Sequence, residues 1–156
     1  MERPRRLPLL FPDGNPDPES AVIGPGGVKV LITAAVFAVI AAAIHLYIFV
    51  LESLRWTAPA TMAVFRISTP QEAAYTQGLA YNQGFYNLFL AVGAMLGVVL
   101  LGAGSRVAGL TLMSFAAASM VLAALVLVFS NRRMIRPALI QGGPALVCLA
   151  FTLLGA

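Results

Sequence analysis

Apolar residues fall along this chain in four long blocks: Val30 to Leu51, Leu79 to Leu101, Val107 to Phe129 and Pro137 to Ala156. Short polar segments separate them. Each block is about 20 residues or more, the length a helix needs to cross a bilayer's hydrocarbon core. The first is broken only by Thr33 and His45 and makes roughly 33 Å of helix. The pattern predicts an all-α fold, an integral membrane four-helix bundle with short loops. Leu101-Gly102-Ala103-Gly104-Ser105-Arg106 is too short for anything but a tight reversal, so spans two and three should be antiparallel neighbours. Gly93 and Gly97 form a small-xxx-small seam, and Ser114 with Ala116–Ser119 a small-residue face, both suited to close helix contact. Gln141, Gly142, Gly143 and Pro144 should break the first turns of span four. In the loop between spans one and two, Thr69-Pro70-Gln71-Glu72 reads as a capping box with proline at the first helical position. It predicts a short helix at the membrane surface that leads into span two.

Composition removes the soluble alternatives. The chain of 156 residues is 60% hydrophobic and 10% charged, with mean hydropathy +0.88. A soluble domain carries about 25% charged residues. The net charge of +4 does not point to nucleic acid, because the Lys and Arg residues lie between spans instead of in one patch. There they set topology and meet anionic headgroups. Cys148 is the single cysteine, so no intrachain disulfide forms, and its apolar surroundings suit a small core residue. Residues 1–27 differ from the rest, with Pro4, Pro8, Pro12, Pro16, Pro18 and Pro25. That proline density and the acidic Asp13–Glu19 stretch predict a disordered tail and not a cleaved signal. The chain thus divides into a 1–27 tail and a 28–156 four-span domain.

The polar residues inside the spans carry the candidate chemistry. His45 is the single histidine, and on a helix His45, Phe49, Glu52 and Trp56 share one face through i, i+4, i+7, i+11 spacing. Gln83, Tyr86 and Asn87 share a face of span two, and Asn82 pairs with Tyr86. Connectivity then gathers them. Span one ends, span two begins and span four begins on the same side, the side of loops one and three. His45, Glu52, Trp56, Asn82, Gln83, Tyr86, Asn87 and Gln141 therefore fall in one half of the bilayer and predict an internal polar cavity. Intramembrane ionisable groups are costly and tend to mark function. Three readings compete. A binding site would use Glu52 as charge partner for a small lipophilic or amphipathic ligand. An enzyme would use His45 and Glu52 as proton donor and acceptor, in an isomerase or proton-transfer reaction. A structural network would satisfy the same groups by hydrogen bonds across helices. One histidine does not make a zinc site, and no nucleotide loop or nucleophile elbow is present, so no cofactor or metal is expected.

Three stretches, His45-Leu46-Tyr47-Ile48-Phe49-Val50-Leu51-Glu52, Asn82-Gln83-Gly84-Phe85-Tyr86-Asn87 and Gln141-Gly142-Gly143-Pro144-Ala145-Leu146, resemble the signature segments of a small bacterial membrane family catalogued as domain of unknown function 1304. The resemblance covers about residues 28–156 and departs from the family in the proline-rich tail. It implies a multi-pass bacterial membrane protein with four spans and carries no activity with it. The expected setting is the bacterial plasma membrane, with the lipid bilayer as partner and a homo-oligomer needed for any transport role. Arg55, Arg66, Arg132, Arg133 and Arg136 flank the spans on one side, against Lys29 and Arg106 on the other. Arg3, Arg5 and Arg6 lie more than about 20 residues from the first span and count for less. Loops one and three are therefore expected in the cytoplasm and both termini outside.

Overall fold

The computed structural model describes residues 25–155. The expectation of a disordered tail therefore lies outside the described residues for positions 1–24, while Pro25 already opens the first helix. Helix α1 runs Pro25–Phe49 and passes directly into a π-helical turn, Val50–Leu54. A short helix α2 follows at Pro59–Phe65. Helices α3, Pro70–Gly102, and α4, Arg106–Ser130, form a hairpin. A 3-10 turn, Arg132–Met134, leads into α5, Ile135–Leu154. Among the described residues there is no strand. Four helical segments are long and apolar enough to cross a membrane, so the all-α four-span architecture stands.

The helices form a closed ring. α1 packs on α3 and α5, and α4 packs on the same two, while α1 and α4 barely meet across the diagonal. The interior is built from small residues: Ala34, Ala38, Ala41 and Ala42 of α1, Ala91 and Ala94 of α3, Ala116 and Ala117 of α4, Ala145 and Cys148 of α5. Met113 and Met120 fill what remains and are fully buried. Large apolar side chains such as Ile32, Phe89, Leu122 and Phe129 point outward. In lipid, which is as apolar as leucine, outward leucines cost nothing and the bundle gains by close packing of small surfaces.

Glycine sets the closest approach. A Cβ on Gly97 would meet the Met113 backbone nitrogen at 2.8 Å and the Gly109 carbonyl oxygen at 3.0 Å, and one on Gly109 would meet the Leu101 nitrogen at 2.6 Å. The α3–α4 hairpin is therefore a backbone-to-backbone contact centred on Gly97, with Gly109 as its partner. Gly93 only touches Ala116, at an ordinary 3.8 Å. Gly104, at φ +86, supplies the left-handed residue of the tight turn.

Three boundaries differ from expectation. The Thr69 cap forms: its hydroxyl accepts from the Glu72 amide at 3.1 Å, and Glu72 Oε2 accepts from the Ser68 amide at 2.9 Å. The helix it starts, however, is the second span itself, unbroken for 33 residues, because Gly78 alone does not stop a helix whose flanks are good formers. The separate short helix is α2, with Pro59 at its start and Arg66 as a left-handed C-cap at φ 58. Span four is likewise unbroken. Pro144 sits inside α5 and removes one donor, a loss that membrane helices absorb, and Gly142 turns its missing side chain toward Ala124.

Candidate functional site

The site grows from the way α1 ends. At Val50 the helix widens into π geometry, which adds a residue to the turn and re-aims the side chains that follow; such turns recur at functional sites. This turn presses on α3. Ser53 Oγ donates to the Tyr81 carbonyl at 2.9 Å. Gly84 makes the approach feasible, since a Cβ there would overlap Ser53 Oγ and lie 3.0 Å from the Ser53 nitrogen. Phe49 and Phe85 meet edge to face at 5.2 Å just below, an arrangement aromatic quadrupoles favour.

The turn delivers Glu52 into the α1–α3 interface. The residue is 8% exposed. Its Oε2 accepts from Asn87 Nδ2 at 2.8 Å, and the same amide also donates to the Gln83 carbonyl at 3.2 Å. Its Oε1 has no partner among the described residues. Every fully buried side-chain nitrogen or oxygen among them does have one, so Oε1 is reachable from outside the packed interior. Glu52 lines an open cleft of about 370 Å³, together with Trp56, Thr76, Leu79, Ala80, Asn82 and Gln83.

The cleft's wall is ordered. Trp56 lies past the helix end and donates its indole N–H to Thr76 Oγ1 at 3.1 Å, while Thr76 donates to the Glu72 carbonyl at 2.8 Å. Phe65 of α2 packs on the indole at 5.0 Å. Asn82 Nδ2 donates to Tyr86 Oη at 3.3 Å, the pairing their spacing predicts. Depth follows from length. Taking the tight turn at Gly102 as one membrane boundary, about 30 Å of hydrocarbon ends near Asn82 and Gln83. Asn87 and the Glu52 carboxylate lie a turn or two inside that limit, and Trp56 and Thr76 lie at the interface.

Of the eight candidate residues, Glu52, Trp56, Asn82 and Gln83 line the cleft. Asn87 stands behind it as the partner of Glu52, and exposed Tyr86 reaches it only through Asn82. His45 and Gln141 are not part of it. His45 is 1% exposed, and its Nδ1 bonds the Ala41 carbonyl of its own helix at 2.9 Å. Gln141, half-buried on α5, is also absent from the lining. The shared face of His45, Phe49, Glu52 and Trp56 is a further correction. That face needs one continuous α-helix, and the π turn, with the end of the helix at Leu54, takes Trp56 off it. Thr76, Leu79 and Ala80 join the lining without having been singled out, because the long α3 raises them beside the end of α1.

Chemically the cleft offers one carboxylate oxygen, two amide side chains, an indole and an apolar floor. Of the residues that line it, Glu52 alone is acidic or basic. The family model described as "Protein of unknown function (DUF1304)" matches residues 39–153, which takes in the second half of the first span, the π turn, the cleft and the other three spans. No curated protein and no solved structure matches the chain.

Proposed function

The chain belongs to the DUF1304 family, and from that premise we propose that it binds a small amphipathic ligand in the cleft between the π turn and α3. The observation that carries this reading is Glu52, buried, held by Asn87 through one carboxylate oxygen with the other unpartnered, and part of the cleft's lining. An ionisable side chain inside a membrane is costly and, where it is kept, tends to mark function. A fold that needed only the bond to Asn87 would obtain it from glutamine at lower cost. The cleft's position at the end of the spans lets a ligand enter sideways from the lipid interface, tail against Leu79 and head toward Glu52. The setting we propose is a bacterial plasma membrane with the cleft end, and the arginine-rich loops one and three, in the cytoplasm.

The acid–base alternative loses support from the position of His45, which is bonded within its own helix and does not line the cleft. Native mass spectrometry of gently solubilised protein tests the binding reading. The wild type should retain a small molecule that Glu52→Gln, which keeps the acceptor for Asn87, releases. Two bare proteins would overturn it and leave Glu52 as a packing residue.

A further inference from the structure

We propose that the head the cleft selects is cationic: the ligand is an alkylammonium-type amphiphile, bound with its charge between Glu52 Oε1 and the indole of Trp56. This rests on the binding reading above and adds the ligand's chemical class.

Three observations converge on it. The cleft's charge is one-sided: Glu52 lines it, and no Lys or Arg does. Arg55, next to Trp56 in sequence, is exposed and outside the lining. The free oxygen is an acceptor in a partly desolvated wall, where attraction to a positive charge is screened far less than in water. An anionic head placed there would meet a like charge, and a neutral alcohol would gain one hydrogen bond without the charge. The second wall is aromatic. Trp56 has its N–H committed to Thr76 and its position fixed by Phe65, so what it has left to offer a ligand is its π system. A carboxylate beside an indole is the combination that recognises quaternary and primary ammonium groups. The floor of Leu79 and Ala80 then takes the first methylenes of the tail. Asn82 and Gln83, exposed at the mouth, leave the outer end wet, which suits a charge that enters from the interface.

Trp56 is the single tryptophan of the protein, so its emission reports on the cleft without labelling. The test titrates three eight-carbon amphiphiles that differ only in the head, octyltrimethylammonium, octanol and octyl sulfate, into the full-length protein in maltoside micelles. Trp56 fluorescence is read together with calorimetry corrected for empty micelles. Octyltrimethylammonium should bind saturably, with octanol and octyl sulfate at least tenfold weaker. Glu52→Gln should weaken the cation by about 10-fold or more, because it removes the negative charge that faces the ammonium in a partly desolvated wall, and leave octanol unchanged. Trp56→Phe, followed by calorimetry, should weaken the cation several-fold. If Glu52→Gln does not fold, the comparison of three heads on the wild type still decides. Octanol or octyl sulfate binding as tightly as the cation would overturn the charge assignment while leaving amphiphile binding intact. Saturable binding of none of the three would bring down the binding reading as well. A short-chain phosphatidylcholine, which carries the same trimethylammonium group on a lipid, then separates two sources of the same head. Binding comparable to the alkylammonium assigns a lipid headgroup, and its failure beside a bound alkylammonium assigns a free amphiphile.

Discussion

Replacing Gly84 with alanine should destabilise the protein, although alanine is the better helix former. Gly84 lies inside α3, where Gly→Ala alone gains about 1 kcal/mol in intrinsic propensity. Against that stands the π turn. The new Cβ would overlap Ser53 Oγ and lie 3.0 Å from the Ser53 nitrogen and 3.1 Å from its Cβ. Rotating the hydroxyl away relieves only the first of these and breaks its bond to the Tyr81 carbonyl, a loss of about 1 kcal/mol. The backbone contact remains and costs about 1–3 kcal/mol as overpacking. The net expectation is a loss of about 1–3 kcal/mol after the propensity gain is subtracted. Gly78 on the same helix is the control, since nothing lies within 4 Å of a Cβ there, and Gly78→Ala should be neutral or stabilising by up to about 1 kcal/mol. Both are measured by unfolding in mixed micelles of increasing denaturing detergent, followed by circular dichroism. Adding Ser53→Ala should reduce the cost of Gly84→Ala, a coupling that a double-mutant cycle resolves. Equal stabilisation by the two glycine replacements would refute the docking of the π turn on α3.

The α3–α4 contact makes a second pair. Gly97→Leu should cost several kcal/mol or abolish folding, because its side chain would enter the Met113 and Gly109 backbone, whereas Val99→Leu, on an exposed position, should stay within about 0.5 kcal/mol; the same detergent titration reads both. Glu52→Gln should change stability by less than about 1 kcal/mol, since its amide oxygen can still accept from Asn87, while Glu52→Leu removes that acceptor and should cost about 1–3 kcal/mol by thermal unfolding. Cys148 is fully buried and should resist maleimide until the protein unfolds. With Cys148→Ser as background, a single cysteine in the Arg132–Arg136 loop should not react with an impermeant reagent in intact cells; labelling there would reverse the proposed orientation.

What the sequence could reveal followed from periodicity and local chemistry. The four spans are composition, the Thr69 cap is a four-residue pattern, and Asn82 with Tyr86 is i, i+4 spacing, so each survives in the structure. The departures come from tertiary context. A π turn is one extra residue in a helix, and Val50–Leu54 carries no pattern that announces it. Its partner Gly84 sat in plain view between Gln83 and Phe85, but its use depends on Ser53, far away in sequence. Pro144 is a helix breaker in water and is tolerated in α5. Helical spacing puts His45 on one face with Glu52. Facing inward is not meeting, and His45 turns back to the Ala41 carbonyl.

The central claim is that Glu52 opens onto the cleft. A hydrophobic carbodiimide tests it, since the reagent modifies a membrane carboxyl that it can reach. Peptide mapping of folded protein in maltoside should find the adduct on Glu52, and octyltrimethylammonium should slow its formation. A Glu52 that stays unmodified in the folded protein and reacts only after unfolding would show a sealed carboxyl, and would contradict the account.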